Sequence, residues 1–355
     1  MNNHFKEPAV AIIILNWNGW EDTIECIESL CNIHYSNFEI IIVDNASEDE
    51  SINKIREYCK GKIKVESLYF EYNPSNKPMC VLELSEDDLK NFKLPPTKLN
   101  SLYNQKTITI LKNKKNYGFT EGNNIGMEYA LKNLNPDYFL LLNNDTVVEP
   151  YFLNELIITA SKSSEIGFVG PKIYFYEYDQ KSNIIQYAGA KQNIWRFKPG
   201  PIGFKEEDFG RFDANKQVDF IHGSCMLVKS EMTDEIGLFD KEYFTFREEN
   251  DWCMSGYKKG WISVYAYKST IWHKGGRSTN SRETKRITWY YMTKNRFLFM
   301  NKHATFLQKI SFVLYFFIID FGFYIGAAIF YFKDLKLLKC FLKSVKDGTQ
   351  LLLYN

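Results

Sequence analysis

The sequence predicts an α/β protein built on an open, mostly parallel central sheet with helices on its faces. Three observations carry that expectation. Ala9–Leu15 (AVAIIIL) and Phe38–Val43 (FEIIIV) are unbroken, β-branched runs, the pattern of strands buried on both faces. Each ends in a polar turn and leads into a helical pattern, so strand, polar loop and helix repeat as in Rossmann-like halves. A third apolar run, Tyr138–Leu142, stops abruptly at Asn143, Asn144 and Asp145. Open α/β sheets bind ligands at the carboxyl ends of their strands, which makes this corner a candidate site. Asn and Asp are also ordinary turn residues, so the corner alone decides nothing.

In chain order, Asn16–Gly19 is a turn, and EDTIECIESLCNI is a helix whose Ile24, Ile27, Leu30 and Cys31 share one face. Its acids come early, as the helix dipole favours. Asp44–Ser47 ends the second strand, and a helix follows through Ile52, Ile55 and Tyr58. Neither strand leads into G-x-G-x-x-G or G-x-x-x-x-G-K-[ST], so dinucleotide and P-loop binding lack their phosphate cradle. Asp44, at a strand end, is placed to accept from a ribose hydroxyl or a base N–H. Residues 64–107 hold Pro74, Pro78, Pro95 and Pro96 with no sustained period, and read as an insertion with little regular structure. Thr107–Leu111 restores strand character. NKKNYGFTEGNNIGMEYAL then reads as a polar loop opening a helix, with Gly118, Gly122 and Gly126 suited to close approach by a diphosphate.

Beyond the Asn-Asn-Asp corner, Tyr151–Ser161 is expected to be a helix and GFVGPKIYFY a strand. Residues 184–218 read as a second irregular insertion, and Phe220–Lys229 as a strand. Glu248, Glu249 and Asp251 open a further helix, and three carboxylates in four residues exceed what capping requires. Ile262–Tyr267 is an expected strand, IWHKGGRST follows it, and Tyr290–Met300 is an aromatic-rich helix. Trp252, Trp261 and Trp272 are candidates for stacking on a ligand or, equally, for the core.

Composition narrows the class. Lys plus Arg (44) and Asp plus Glu (43) nearly cancel, so no global field argues for nucleic acid. Seven scattered Cys form no C-x-x-C pair and no zinc-like grouping, as expected of reduced thiols. The N-terminal apolar run is too short for a secretory signal, which places the catalytic part in the cytoplasm. Ile310–Phe332 is apolar with one charge, Asp320, and is long enough to cross a bilayer. An Asp at mid-membrane costs about 2.5–3.5 kcal/mol, so a hairpin or an interfacial helix that keeps it wet is the alternative to a clean span. Lys333, Lys336, Lys339, Lys343 and Lys346 follow at helical spacing, making a basic amphipathic helix suited to an anionic leaflet. A soluble helix pair between domains or protomers is the other reading. The chain thus divides into a catalytic domain at 1–300 and C-terminal helices at 301–355.

The motifs IILNWNGWEDTIECIESL, IIVDNAS, NYGFTEGNNIG, LLLNNDT, IGLFDKEYFTFREENDWC and WHKGG stand in one order from Ala9 to about Arg277. In that order the chain resembles the inverting family-2 glycosyltransferases of the GT-A fold, especially bacterial rhamnosyltransferase-like enzymes of surface polysaccharide synthesis. The resemblance implies a donor site of Asn16, Asp44, Asn116, Gly118, Asn123 or Asn124, with Asn144 and Asp145 at the diphosphate. LLLNNDT stands at the family's D-x-D position with Asn143 in place of the first acid. Asp145 and His273 are then the implied ligands of Mn2+ or Mg2+. The implied catalytic base is Glu249, a Glu where Asp is usual, with Asp251 as the next candidate. The implied donor is a dTDP- or UDP-sugar carrying rhamnose or another hexose. The implied acceptor is a lipid-linked glycan at the cytoplasmic face of the membrane. A nucleotidyltransferase and a non-catalytic glycan-binding scaffold derived from a transferase are the alternatives.

Overall fold

The computed structural model describes residues 7–91, 107–275 and 281–353. The expected repeat is present as β1 (Val10–Asn16), α1 (Trp20–Cys31), β2 (Phe38–Asp44) and α2 (Ser51–Cys59). β3 (Cys80–Ser85), α3 (Glu86–Asn91), β4 (Thr107–Lys112), α4 (Gly118–Asn133), β5 (Tyr138–Asn143), β6 (Thr146–Val148), α5 (Phe152–Ala160) and β7 (Ile166–Phe175) follow. Next come β8 (Ile185–Tyr187), β9 (Ala190–Asn193), β10 (Lys198–Pro201), β11 (Lys216–Val218) and β12 (Cys225–Lys229). The domain closes with α6 (Ser230–Ile236), α7 (Glu248–Tyr257) and β13 (Ile262–His273).

The main sheet runs β11-β13-β7-β12-β5-β1-β2-β4-β3, with β6 paired to β13 and β8 to β7. β5, β1, β2, β4 and β3 are mutually parallel, while β12 runs against both its neighbours. The chain leaves β1 in one direction to β2 and in the other to β5, so a topological switch falls between β1 and β5, where α/β sheets open a ligand crevice. Register lines up the rim of that crevice, because Asn16 lies opposite Asp44 and Leu15 opposite Asn143. Ile12, Ile13, Ile14, Ile41, Ile42 and Leu140 are fully buried, as continuous apolar runs require.

Several expectations are corrected. The stretch 64–107 is not without regular structure, since it supplies β3, the outer edge strand, and α3 (residues 92–106 lie outside the described residues). An edge strand is paired on one side and half-exposed, so CVLELS tolerates polar residues that a central strand would not. The stretch 184–218 is likewise built of short strands, namely β8 on β7, β11 on β13 and a β9–β10 hairpin. The strand expected at Phe220–Lys229 starts only at Cys225, and that expected at Ile262–Tyr267 runs on to His273. Gly122 and Gly126 lie within α4 rather than in a loop. A Cβ on Gly126 would stand 2.6 Å from Ile13 Cγ2, and one on Gly122 2.6 Å from Leu15 Cδ1. These glycines serve close packing of α4 on β1, not approach by a phosphate.

C-terminal to the sheet, α8 (Arg282–His303) runs through the expected boundary at residue 300. α9 (Phe306–Tyr331) has two π-helical stretches, and α10 (Leu335–Leu353) returns along α8. Phe297, Phe312, Phe316 and Phe341 form a second buried cluster here. The apolar face of α10, at Leu337, Phe341 and Val345, is buried in this packing. Those residues therefore do not face a leaflet as expected, while the lysines and Leu335 and Leu342 are exposed. Asp320 is not left to water either, because Arg296 Nη2 lies 2.6 Å from its carboxylate.

Gly126→Ala gains helix propensity but drives a methyl into a β-branched side chain of the central strand. Net destabilisation of about 1–3 kcal/mol is expected in urea unfolding; an unchanged midpoint would refute the close-packing role.

Candidate active site

The corner at the end of β5 is built by a strand pairing. β6 lies antiparallel to the far end of β13 with Thr146 opposite His273, and Lys274 N donates to Asp145 O at 2.9 Å. This register brings His273 Nε2 to 3.1 Å from Asp145 Oδ1. On the other side of the ring, Nδ1 lies 2.6 Å from Gln186 Oε1 on β8. An amide oxygen only accepts, so Nδ1 carries a proton and Nε2 faces the carboxylate. Two electron-pair donors aimed at each other call for a positive charge, supplied by a proton or a cation. Burial pushes the Asp145 carboxyl up, but His273, by charge and hydrogen bond, together with Lys274, holds it below the usual carboxylate range. Among the described residues no group of three or more His, Cys, Asp and Glu side chains gathers as a metal site.

The pair has a charged surround. Lys274 is buried between Asp22 and Glu25 of α1, 2.5 Å from each, and Tyr176 Oη donates to Glu25 at 2.6 Å. Asn144 Nδ2 donates to Thr23 Oγ1 at 3.0 Å and Gly19 O at 3.2 Å, tying the corner to the start of α1. His222 packs edge-to-face against His273, with ring centroids 5.9 Å apart. Burial, with the charge of His273, takes His222 down to about 3, so it is neutral at physiological pH. Lys274 stood in a quoted motif, but Gln186 and His222 were not recognised in sequence. One lies in an apparently irregular insertion and the other alone in an apolar run, where a single His reads as core.

Along the rim, Asp44 accepts from Asn16 Nδ2 at 2.8 Å and from Ser47 N at 3.1 Å and Oγ at 2.7 Å. Thr23 Oγ1 in turn donates to Asn16 at 2.8 Å. Asn116 Oδ1 accepts from Gly118 N at 2.8 Å and from Asn45 Nδ2 at 2.9 Å, shaping the entry to α4. Gly118 has φ +77°, and a Cβ there would lie 2.3 Å from Phe244 O, so glycine is required by the turn. Asn123 and Asn124 are both buried and turned inward. Asn123 Nδ2 donates to Phe119 O at 2.8 Å, and Asn124 exchanges hydrogen bonds of 2.9 and 3.1 Å with the backbone of Phe239. The structure thus brings Asn16, Asp44, Asn144, Asp145 and His273 to one rim and commits Asn123 and Asn124 to holding α4.

The carboxylates of α7 have unequal surroundings. Asp251 accepts from His303 Nε2 at 2.7 Å, Tyr243 Oη at 3.2 Å and Lys302 Nζ at 2.8 Å. Against burial, which raises it, His303 and Lys302 hold its carboxyl below the usual range. Glu249 is half-buried, and its carboxyl meets backbone N–H groups, its own and that of Arg247. Burial pushes its carboxyl above the ordinary value, and the guanidinium of Arg247 pulls part of the way back. Tyr187 connects this helix with the corner, since its ring meets His222 at 5.7 Å and its phenol feels the charge of Glu249. Of the tryptophans, Trp252 belongs to the core, while Trp272 stacks on Tyr69 at 4.1 Å.

A glycosyltransferase-like family 2 profile matches residues 99–292, more than half of the chain, and a glycosyl transferase family 2 profile matches residues 11–77. The chain belongs to the family-2 glycosyltransferases. It is 24% identical over 244 residues to the low-salt glycan biosynthesis hexosyltransferase Agl10 of Haloferax volcanii, covering 69% of this chain and 60% of that protein. It is 24% identical over 183 residues to the N-acetylglucosaminyl-diphospho-decaprenol L-rhamnosyltransferase of Mycobacterium tuberculosis, covering 47% of this chain and 56% of that one. The chain therefore spans less than two thirds of the length of either relative. The mannosyltransferase PcManGT of Pyrobaculum calidifontis, solved with GDP-Man and Mn2+, superposes with a TM-score of 0.53 at 10% identity, over 99% of this chain and 88% of that one. GalNAc-T7, solved with UDP, GalNAc and Mn2+, gives 0.51 at 14% identity, over 90% of this chain and 57% of that one. These two likenesses establish the GT-A fold.

Asp251→Asn removes the anion that Lys302 and His303 enclose and is expected to destabilise the protein by about 1–3 kcal/mol in denaturant unfolding. Because the folded-state pKa of Asp251 is lowered, its stabilisation is present above the unfolded Asp value of about 3.9 and is lost as pH falls through the lower folded value. The variant should show correspondingly less acid-induced loss of stability.

Proposed function

We propose that the protein is an inverting glycosyltransferase that moves rhamnose or another hexose from a dTDP- or UDP-sugar to a lipid-linked glycan acceptor. The observation that carries this reading is the Asp145–His273 pair, aimed inward at the switch-point rim with Gln186 holding the His tautomer. A carboxylate oxygen and an imidazole nitrogen fit a divalent cation, with nitrogen favouring Mn2+ over Mg2+, and a backing partner such as Gln186 is what metal-ligating His residues usually have. Bound there with the donor's phosphate oxygens, the cation would screen charge on the departing nucleoside diphosphate. Asn16 and Asp44 present the nucleoside face, Asn116 and Gly118 shape the loop beside it, and Asn144 fastens the diphosphate corner to α1. Glu249 takes the proton of the acceptor hydroxyl as it attacks the anomeric carbon from the opposite face, since its half-buried carboxyl, raised by burial, is more basic than that of Asp251. Asp251 is held by its cations and serves the fold. The names of the two relatives support a hexose donor and a diphospho-polyprenol-linked acceptor.

Membrane attachment belongs to the same reading. Among the described residues, one helix, α9, is long and apolar enough to cross a membrane. Its inner face packs on α8, through Phe312 and Phe316 against Phe297 and through Tyr324 against Trp289. Its outer face exposes Phe306, Ile318, Phe323 and Phe330, each about 70–79% accessible, beside the exposed lysines of α10. A helix packed along one side and apolar on the other suits the plane of the cytoplasmic membrane surface better than a span. A second reading, a non-catalytic glycan-binding scaffold, draws on Asn143, which leaves this strand one carboxylate.

Asp145→Ala and Glu249→Gln should each lower transfer at least about 10²-fold with melting temperature retained, and EDTA should do the same to the native protein. Full activity in both variants would refute the assignment, as would a screen of nucleotide-sugars in which none stabilises the protein in the presence of Mn2+. Glu249 must be ionised to act, and its pKa is raised, so the acid limb of kcat/KM should lie above the ordinary Glu value of about 4.3. For the membrane, Ile318→Asp with Phe330→Asp should release the protein from phosphatidylglycerol vesicles in sedimentation. Equal recovery of variant and native protein in the supernatant would remove the membrane role.

A further inference from the structure

The turn that leads into α7, and so to Glu249, is held from outside the sheet domain. Phe246 and Arg247, the two residues before the helix, have φ +67° and +76°. Non-glycine residues seldom adopt this left-handed conformation, and two in succession persist only where neighbours impose them. The neighbours come from α8. The ring of Tyr291 stacks on that of Phe244, with centroids 5.2 Å apart. One turn further on, Asn295 is fully buried, and its Nδ2 donates to Thr245 O at 2.9 Å and to Phe246 O at 2.7 Å. Its buried Oδ1 has no partner among the described residues. Burying that acceptor costs stability, which the two donor bonds must offset.

The second of these carbonyls bears on the chemistry. Phe246 O and Arg247 N–H belong to one peptide unit, and in a trans peptide they point in opposite directions. Asn295 fixes the oxygen side, and the N–H side meets the carboxyl of Glu249. We propose that Asn295 is a positioning residue for the base, acting through this single peptide unit to hold the Arg247 N–H on the Glu249 carboxyl, a proposal that rests on the transferase reading above. Lys302 and His303, later on the same helix, enclose Asp251, so α8 grips α7 on both sides of the base. Glu249 also feels Arg247 and Glu248 beside it, Cys253 one turn on, and the Tyr187 phenol from β8. A hydrogen bond to the carboxylate favours its charged form, so losing the Arg247 N–H raises the pKa of Glu249.

The test titrates the full chain in detergent micelles by NMR, with isotope-labelled Glu carboxyls and Arg amides. The signals of Glu249 and Arg247 are those lost in Glu249→Gln and Arg247→Lys. In the native protein the Arg247 amide should titrate together with the Glu249 carboxyl; an amide indifferent to it overturns the proposal without any variant at Asn295. Asn295→Ala should move the Glu249 midpoint to higher pH by about half a unit or more, and Asn295→Ser, which keeps one O–H donor, by less. Phe341→Leu, which loosens the core shared by α8, α9 and α10, should leave the midpoint in place. An unmoved midpoint in Asn295→Ala, or an equal shift in Phe341→Leu, would overturn the positioning role. If Asn295→Ala does not fold, the presence or absence of a shift in Asn295→Ser decides. A shifted midpoint in a protein whose Glu249→Gln variant transfers sugar normally keeps the positioning of the carboxyl and removes its role as base. An unmoved midpoint beside an inactive Glu249→Gln does the reverse.

Discussion

The pairing of β6 with the last residues of β13 is the constraint on which the site depends. Three residues of β6 are too few to hold a strand in place by themselves. They are held because Val147 and Val148 are buried and because Thr146, Val147 and Val148 meet His273, Trp272 and Ile271 in register. A slip of one residue would turn every side chain to the opposite face. The same slip would part Asp145 from His273, and Lys274 from the acids of α1. The charged corner is therefore a consequence of apolar burial one step behind it. The order matters, since hydrophobic contacts set the register and the register sets the electrostatics.

The helix that follows Arg247 shows how neighbours divide roles among similar residues. Glu248, Glu249 and Asp251 are chemically alike in sequence. In the fold Asp251 is enclosed by Lys302, His303 and Tyr243 from an adjoining helix and loop, and so becomes part of the scaffold. Glu248 is buried with Oε2 unpartnered, and burial drives its carboxyl well above the usual range, towards the neutral acid. Glu249 alone is half-buried, with backbone N–H groups rather than Lys and His side chains bonded to its carboxyl. One turn of helix thus holds a structural anion, a carboxyl favoured in neutral form and a candidate base, and packing rather than residue type separates them.

The C-terminal helices follow a similar logic on a larger scale. Aromatic rings of α8, α9 and α10 make a second core beside the sheet domain, and Arg296 is flanked in it by the rings of Phe312 and Phe316 at 5.3 and 5.2 Å. Pairing Asp320 with Arg296 neutralises the one acid of this apolar helix. The side of α9 away from this core stays apolar and open.

Much of this was legible in the residues themselves. Buried strands read as β-branched runs because both faces must be apolar, and the polar strand ends at Asn16, Asp44 and Asn144–Asp145 read as a candidate rim because open α/β sheets bind ligands at strand ends. The helical C-terminus, the family motifs and the order of the half-sheet were equally plain. What escaped were features whose signal is not local. β3 and β8 look like loops because an edge strand can be polar and a three-residue strand has no measurable period. Gly122 and Gly126 resemble a phosphate loop until α4 is laid on β1. Asn123 and Asn124 resemble ligands until their partners on Phe119 and Phe239 are seen. The sequence by itself determined the class of fold and the place of the site, because periodicity and strand-end polarity are properties of adjacent residues. Tertiary structure alone decided that Gln186 orients His273, that Asp251 is enclosed by Lys302 and His303 while Glu249 stays half-buried, and that Leu337, Phe341 and Val345 of α10 are turned inward. Each of these depends on contacts between residues far apart in the chain, and only packing brings them together.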